Sequence, residues 1–326
     1  MLHFSKKPVE LQIIHLNDAQ TRAKKHFDAV KKHQDDATHQ LKDKLCNALK
    51  ALKNDAQDTP KKQSAEKSEQ AAAVYVLDFD GDIKASAVAH LREEISTIIS
   101  VANRGDEVVL RLESGGGQVN AYGLAASQLM RIGEAGLKLT ICVDKIAASG
   151  GYMMACVADT IIASDFAVLG SVGVVSQLPN FHELLKKHDV QFEQFTAGEY
   201  KRTVTLFGEN TDEDRAKHQA DINRIHELFK AFVAKNRPKL DIAKIATGEV
   251  WFGEDAKALG LIDQIGTSDA YLLNKLATQP VYALHSRSKP TLAEKLGIAD
   301  QVGASVHQAF DAAERALTQI AQRLAR

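Results

Sequence analysis

Ser149 stands in the stretch "DKIAASGGYMMACVAD" (144–159), after two alanines and before two glycines. A serine hydroxyl in such a turn can act as the nucleophile of acyl transfer, provided a base takes its proton. The apolar run 138–146 reads as a strand. It leads into Ala147-Ala148-Ser149-Gly150-Gly151 and then into a helix, which is the layout of a nucleophile elbow. The strict G-x-S-x-G pattern is not met, because Ala147 and Gly151 hold its outer positions. In this layout Gly150 lets the backbone approach a reacting carbonyl. Serine also favours helix N-caps. On this stretch alone, nucleophile and cap weigh equally.

A second glycine turn, "ESGGGQVNAYGLAASQL", follows another predicted strand at 107–114. The free N–H groups of Gly115, Gly116 and Gly117 suit an anion or an oxyanion; the alternative is a tight turn with no ligand. No Walker or dinucleotide-binding glycine pattern is present. The base is harder to place. The chain has 12 histidines, and none stands in a glycine-rich loop. His218 and His226 lie in a predicted helix (212–237) beside charged residues and read as solvated. A lysine with a neutral amine can replace histidine, and burial favours that neutral form. Lys201, in "FTAGEYKRTVTLFGENT", follows an Ala197-Gly198 turn and has Tyr200 and "TVTLF" as apolar neighbours. Arg202 beside it also disfavours a second positive charge. Lys145 is the rival by proximity to Ser149.

The elements that must position these residues alternate strand and helix from "AVYVLDF" (73–79) onward, which argues for an α/β fold with parallel strands. Within it, "QFEQFTAG" (191–198) reads as a strand. Residues 1–56 form a charged N-terminal region with helical periodicity from residue 9, and 57–72 form a polar linker. The globular domain covers 73–284, and 285–326 carry an amphipathic helix suited to a subunit, a membrane surface or its own domain. The 326 residues are 44% hydrophobic with a formal net charge of -1, which gives no global bias toward nucleic acid. Three scattered cysteines indicate neither a zinc site nor a disulfide framework. No apolar run is long enough for a transmembrane helix, so the chain as given reads as soluble.

Taken together, "KIAASGGYMMACVAD", "LGSVGVV", "TAGEYKRTVTLFGENT", "RLESGGGQVNAYGLAASQL" and "ATGEVWFGEDAKALGLIDQIGTSD" resemble the S49 peptidases, the signal peptide peptidase group. The resemblance covers roughly 73–275. It implies a ClpP/crotonase-like α/β spiral of βα units flanked by N- and C-terminal helices. It implies Ser149 as nucleophile, Lys201 as general base and Ser171 as the residue that orients the lysine. It assigns the oxyanion hole to the amides of Gly116 and Gly150. The implied activity is ATP-independent endopeptidase cleavage of apolar peptides, such as signal peptide remnants or membrane-associated proteins. No cofactor and no metal are called for. A homo-oligomeric ring and association with the bacterial inner membrane, on its periplasmic face, are implied as well. One departure stands out: Gly115 occupies a position where the family usually has proline. The alternatives are a crotonase-like acyl-CoA enzyme, which needs no serine–lysine pair, and a non-catalytic scaffold for membrane proteins.

Overall fold

The computed structural model describes residues 9–29 and 72–288. Residues 13–285 form one compact unit; a second comprises 1–12 and 286–326, of which 9–12 and 286–288 are described. The elements are β1 (Val9–His15), α1 (16–29), β2 (Val74–Gly81), α2 (Val88–Val101), β3 (Glu107–Ser114), α3 (Val119–Glu134), β4 (Lys138–Val143), β5 (Ile146–Ala148) and α4 (Gly150–Ala155). They continue as β6 (Thr160–Ala163), β7 (Val168–Gly170), α5 (His182–Lys187), α6 (Asp212–Asn236), α7 (Ile242–Ile245), β8 (Val250–Trp251), α8 (Gly253–Ala258), β9 (Gln264–Ile265), α9 (Ser268–Leu276) and β10 (Val281–Ser288).

The main sheet runs β1-β10-β2-β3-β4-β6-β9. From β10 to β9 every pair is parallel. Helices cover such a sheet on both faces, so its strands read as continuous apolar runs rather than alternations. Strand β3 shows this: Val108, Val109 and Leu110 are all fully buried. Helix α2 buries Val88, Leu91, Ile95 and Ile98, and α3 buries Tyr122, Ala125, Ala126, Leu129 and Ile132, each on one stripe of helical spacing. The expected α/β spiral of βα units is therefore the observed architecture.

What positions the site is a split in this sheet. After β4 the chain bends at Asp144-Lys145, and β5 pairs with β3 on one side (Ser114↔Ala147) and β7 on the other (Ala148↔Gly170). Strand β8 closes that second layer by pairing antiparallel with β7. The carboxyl ends of β3, β5 and β7 thus lie side by side. In α/β sheets this is the edge where ligands bind.

Two expectations change. Residues 9–15 form strand β1 rather than the start of a helix, and the helix begins at residue 16. "VELQIIH" offers apolar residues that suit either period, and a neighbouring strand decides the outcome. Residues 191–198 are irregular, not a strand. Phe192 and Phe195 in that run are 43% and 89% exposed, and the run pairs with none of the described strands. The apolar positions Val30 to Leu52, the 57–71 linker and the helix after Pro290 lie outside the described residues.

Buried Glu107 ties the amino end of β3 to its neighbours. It accepts from Thr140 Oγ1 at 2.5 Å and Tyr271 Oη at 2.6 Å, and pairs with Lys275 Nζ at 2.5 Å. Burial alone would raise its pKa, but the hydrogen bonds from Lys275, Thr140 and Tyr271 hold it below its ordinary value of 4.5. A carboxylate depressed on folding stabilises the protein above its unfolded pKa, and that stability is lost as pH falls through the folded one. Glu107→Gln is therefore expected to lower the melting temperature at pH 7. It should also flatten the loss of stability on acidification below about pH 5, read by thermal melts across pH 3–7.

Candidate active site

Ser149 follows β5 directly and precedes α4. Its backbone sits at φ 52°, ψ -117°, and its hydroxyl makes no capping bond to α4. The cap reading is thereby removed. A non-glycine residue in such a region costs about 1–3 kcal/mol and persists only where its surroundings impose it. Here they do: its N–H donates to Gly170 C=O at 2.8 Å, and its C=O accepts from Met153 N–H at 2.9 Å.

Small residues crowd around it because the backbone segments touch. Gly116 has φ +91°, and a Cβ there would lie 2.6 Å from Gly150 N and 2.8 Å from Ser149 Cβ. At Gly150 a Cβ would meet Tyr122 Cγ at 2.4 Å. The two glycines assigned to an oxyanion hole are thus adjacent to each other and to Ser149. The Gly116 N–H itself donates to Ser114 Oγ at 3.1 Å. Ser114 in turn lies 2.5 Å from Tyr122 Oη, which donates to Asp82 C=O at 2.8 Å. Burial pushes the Tyr122 hydroxyl pKa up, so the group stays a neutral donor.

Ser171 lies one strand over, at the end of β7, with φ 50°. Its N–H donates to Glu249 C=O at 2.6 Å. A cavity of about 640 Å³ is lined by Gly115, Gly116, Gly117, Ser149, Ser171 and His226, with valines 119, 174 and 175 among its apolar walls. His226 reads as solvated in the sequence, yet Nε2 of this α6 residue donates to Val172 C=O at 3.1 Å on the wall of the serine cavity. A carbonyl only accepts, which fixes the tautomer. Its neighbours in sequence are charged, so only the fold could place it here.

The two lysines fall elsewhere. Lys145 is exposed and paired with Glu113 at 2.9 Å; that hydrogen bond raises its pKa and keeps it charged, so it makes a poor base. Lys201 does occupy the expected turn, its N–H donating to Gly198 C=O at 3.1 Å. It is exposed, and it lines a different cavity with Leu178, Phe195, Val204, Leu206 and Phe207. Within one chain Ser149, Ser171, Gly116 and Gly150 are brought together, and Lys201 is not among them. Among the described residues no group of three or more His, Cys, Asp or Glu could hold a metal ion, and no helix is long and apolar enough to cross a membrane.

The chain matches Peptidase family S49 over residues 131–281 and the Peptidase family S49 N-terminal region over 5–129. It is 57% identical over 237 residues to a probable protease SohB of Haemophilus influenzae, covering 73% of this chain and 67% of that protein. A probable protease SohB of Buchnera aphidicola subsp. Acyrthosiphon pisum is 57% identical over 203 residues, covering 62% of this chain and 60% of that protein. The chain thus spans 67% and 60% of the length of these two curated relatives. Among solved structures, the membrane-bound stomatin-specific protease 1510-N is 13% identical, with a TM-score of 0.44 over 65% of this chain and 97% of that one.

The close approach at Gly150 gives a prediction. Gly150→Ala is expected to destabilise the protein by about 1–3 kcal/mol through overpacking against Tyr122. Gly115→Ala, whose Cβ would meet only Ile146 Cδ1 at 3.9 Å, is expected to cost far less. Denaturant melts of the two variants check this.

Proposed function

We propose, from the premise that the chain belongs to peptidase family S49, that it is an ATP-independent serine endopeptidase with Ser149 as nucleophile. The observation that carries this reading is the strained, uncapped Ser149 beside Gly116 and Gly150 in an open cavity.

In this reading Ser149 Oγ attacks the scissile carbonyl carbon, and its proton passes to the neutral amine of Lys201. The carbonyl electrons move to oxygen, and the amides of Gly116 and Gly150 receive that oxyanion. One such donor is worth about 2.7–4 kcal/mol of barrier. Collapse breaks the C–N bond, and Lys201 returns the proton to the leaving amine. Water then attacks the Ser149 ester, with Lys201 again as base. Ser171 orients the amine by hydrogen bonding. The valine-lined cavity suits apolar, extended peptides such as signal peptide remnants or membrane-associated proteins. We place the enzyme at the bacterial inner membrane by analogy with its family, and its action on the periplasmic face is part of the same reading.

Because Lys201 and Ser149 line separate cavities, we propose that the dyad is completed on assembly of copies into a ring. The segment that carries Lys201 exposes Phe195, Tyr200 and Phe207, an apolar surface fit to be covered. Its removal from water on assembly would favour the neutral amine.

A tagged fluorophosphonate is expected to label the wild-type protein and not Ser149→Ala. Labelling that persists in Ser149→Ala would overturn the assignment, and both the acyl-CoA enzyme and the scaffold readings predict no serine-dependent labelling at all. Lys201→Ala should also lose peptidase activity. Co-assembly of Ser149→Ala with Lys201→Ala should restore part of that activity if the lysine comes from another copy. No recovery, with both variants assembled, would place the base within the chain.

A further inference from the structure

Residues 115–117 carry no side chains, so this loop cannot fix itself. Glycine has the most conformational freedom to lose, and whatever holds the loop must come from outside it. At its far end Gln118 N–H donates to Ile83 C=O at 2.8 Å. At its near end the anchor is Ser114 Oγ, which accepts the Gly116 N–H at 3.1 Å. The direction of the remaining bonds follows from counting protons. Asp82 C=O can only accept, so the single proton of Tyr122 goes to it. Ser114 must then donate to Tyr122, and it turns a lone pair toward Gly116. The chain of donors runs one way, from Gly116 N–H through the Ser114 and Tyr122 hydroxyls to the Asp82 carbonyl. Ser114 is 2% exposed and Tyr122 fully buried, so water has little access to the two hydroxyls.

Tyr122 also reaches the other half of the site. Its ring lies against Gly150, where any Cβ would strike it. One side chain of α3 therefore supports both amides assigned to the oxyanion: one through its ring, the other through its hydroxyl and Ser114.

We propose that Tyr122, acting through Ser114, is the positioning residue of the oxyanion hole. The proposal rests on the peptidase reading of Ser149. The Ser114 hydroxyl is a neutral acceptor, whereas a developing oxyanion is charged and makes a bond about twice as strong. The Gly116 N–H keeps its bond to Ser114 while the oxyanion takes the stronger arm of a three-centre bond, so the anchor acts in the transition state as well as at rest. An interaction gained mainly in the transition state raises kcat and leaves KM alone. Without the Tyr122 hydroxyl, the Ser114 proton turns to its remaining acceptor, Gly81 C=O at 3.4 Å, and the lone pair facing Gly116 turns with it. The loop then loses its near anchor.

The test is Tyr122→Phe in the full-length protein, compared with Tyr271→Phe. The latter removes a tyrosine hydroxyl bonded to Glu107, at the opposite end of β3. Tyr122→Phe is expected to lower kcat on an apolar fluorogenic peptide by about tenfold or more, with KM within about twofold. The rate of fluorophosphonate labelling at Ser149 should fall in parallel, because the phosphonyl oxygen uses the same amides. Tyr271→Phe should leave both rates within about twofold of wild type. A Tyr122→Phe protein that keeps the wild-type kcat and labelling rate would overturn the proposal. So would an equal loss in Tyr271→Phe, or a loss confined to KM. Ser149→Ala, run alongside, separates the two levels: if it stays reactive, the peptidase reading fails. If it is silent while Tyr122→Phe reacts like wild type, only the positioning role fails.

Discussion

The hydrogen bond from Ser149 N–H to Gly170 C=O, 2.8 Å long, is the interaction on which the rest of the site depends. It continues the β5–β7 pairing by one residue beyond Ala148↔Gly170, at the point where the chain turns into α4. Held there, Ser149 must take a positive φ, and its hydroxyl is kept away from the helix amides that would otherwise claim it. The same strand, through Ser114↔Ala147, sets the glycine loop beside the serine. Parallel pairing of three short strand ends thus does what no local sequence preference would do.

The packing that supports this arrangement is dense and apolar behind the site and open in front of it. Tyr152, Met154 and Leu169 are fully buried, and Tyr152 Oη donates to Leu261 C=O at 3.0 Å. Arg237 pairs with Asp263 at 2.9 Å and fastens the end of α6 to the segment before β9. In front, residues from Val175 to Phe207 expose many large apolar side chains. A rigid base with an apolar, uncovered rim is the distribution expected where substrate or further copies of the chain complete the structure.

Much of this was legible in the sequence, for identifiable reasons. Strand–turn–helix runs with small residues marked both glycine turns, because close backbone contact tolerates nothing larger. The alternation of apolar runs marked the parallel sheet. Ser171 became visible only through its family's motif, since "GSVGV" alone says nothing of a neighbouring strand end. Lys201 was singled out by its turn, but one-dimensional spacing carries no information on whether a lysine meets a serine of its own chain. The contacts of Tyr122 and His226 were missed for the opposite reason. Both sit in regular helices, and what they touch is set by what the tertiary fold places opposite them. The misread strand at Val9–His15 has the same origin, a short run whose period fits two structures until a neighbour selects one.

The central claim is that Ser149, with the amides of Gly116 and Gly150, forms the acyl-transfer centre. The most direct measurement is a crystal or electron-microscopy structure of the protein after reaction with a peptidyl phosphonate. The account predicts phosphorus bonded to Ser149 Oγ and its free oxygen within hydrogen-bond reach of the Gly116 and Gly150 amides. Phosphorus on another residue, or an oxygen turned away from both amides, would contradict it.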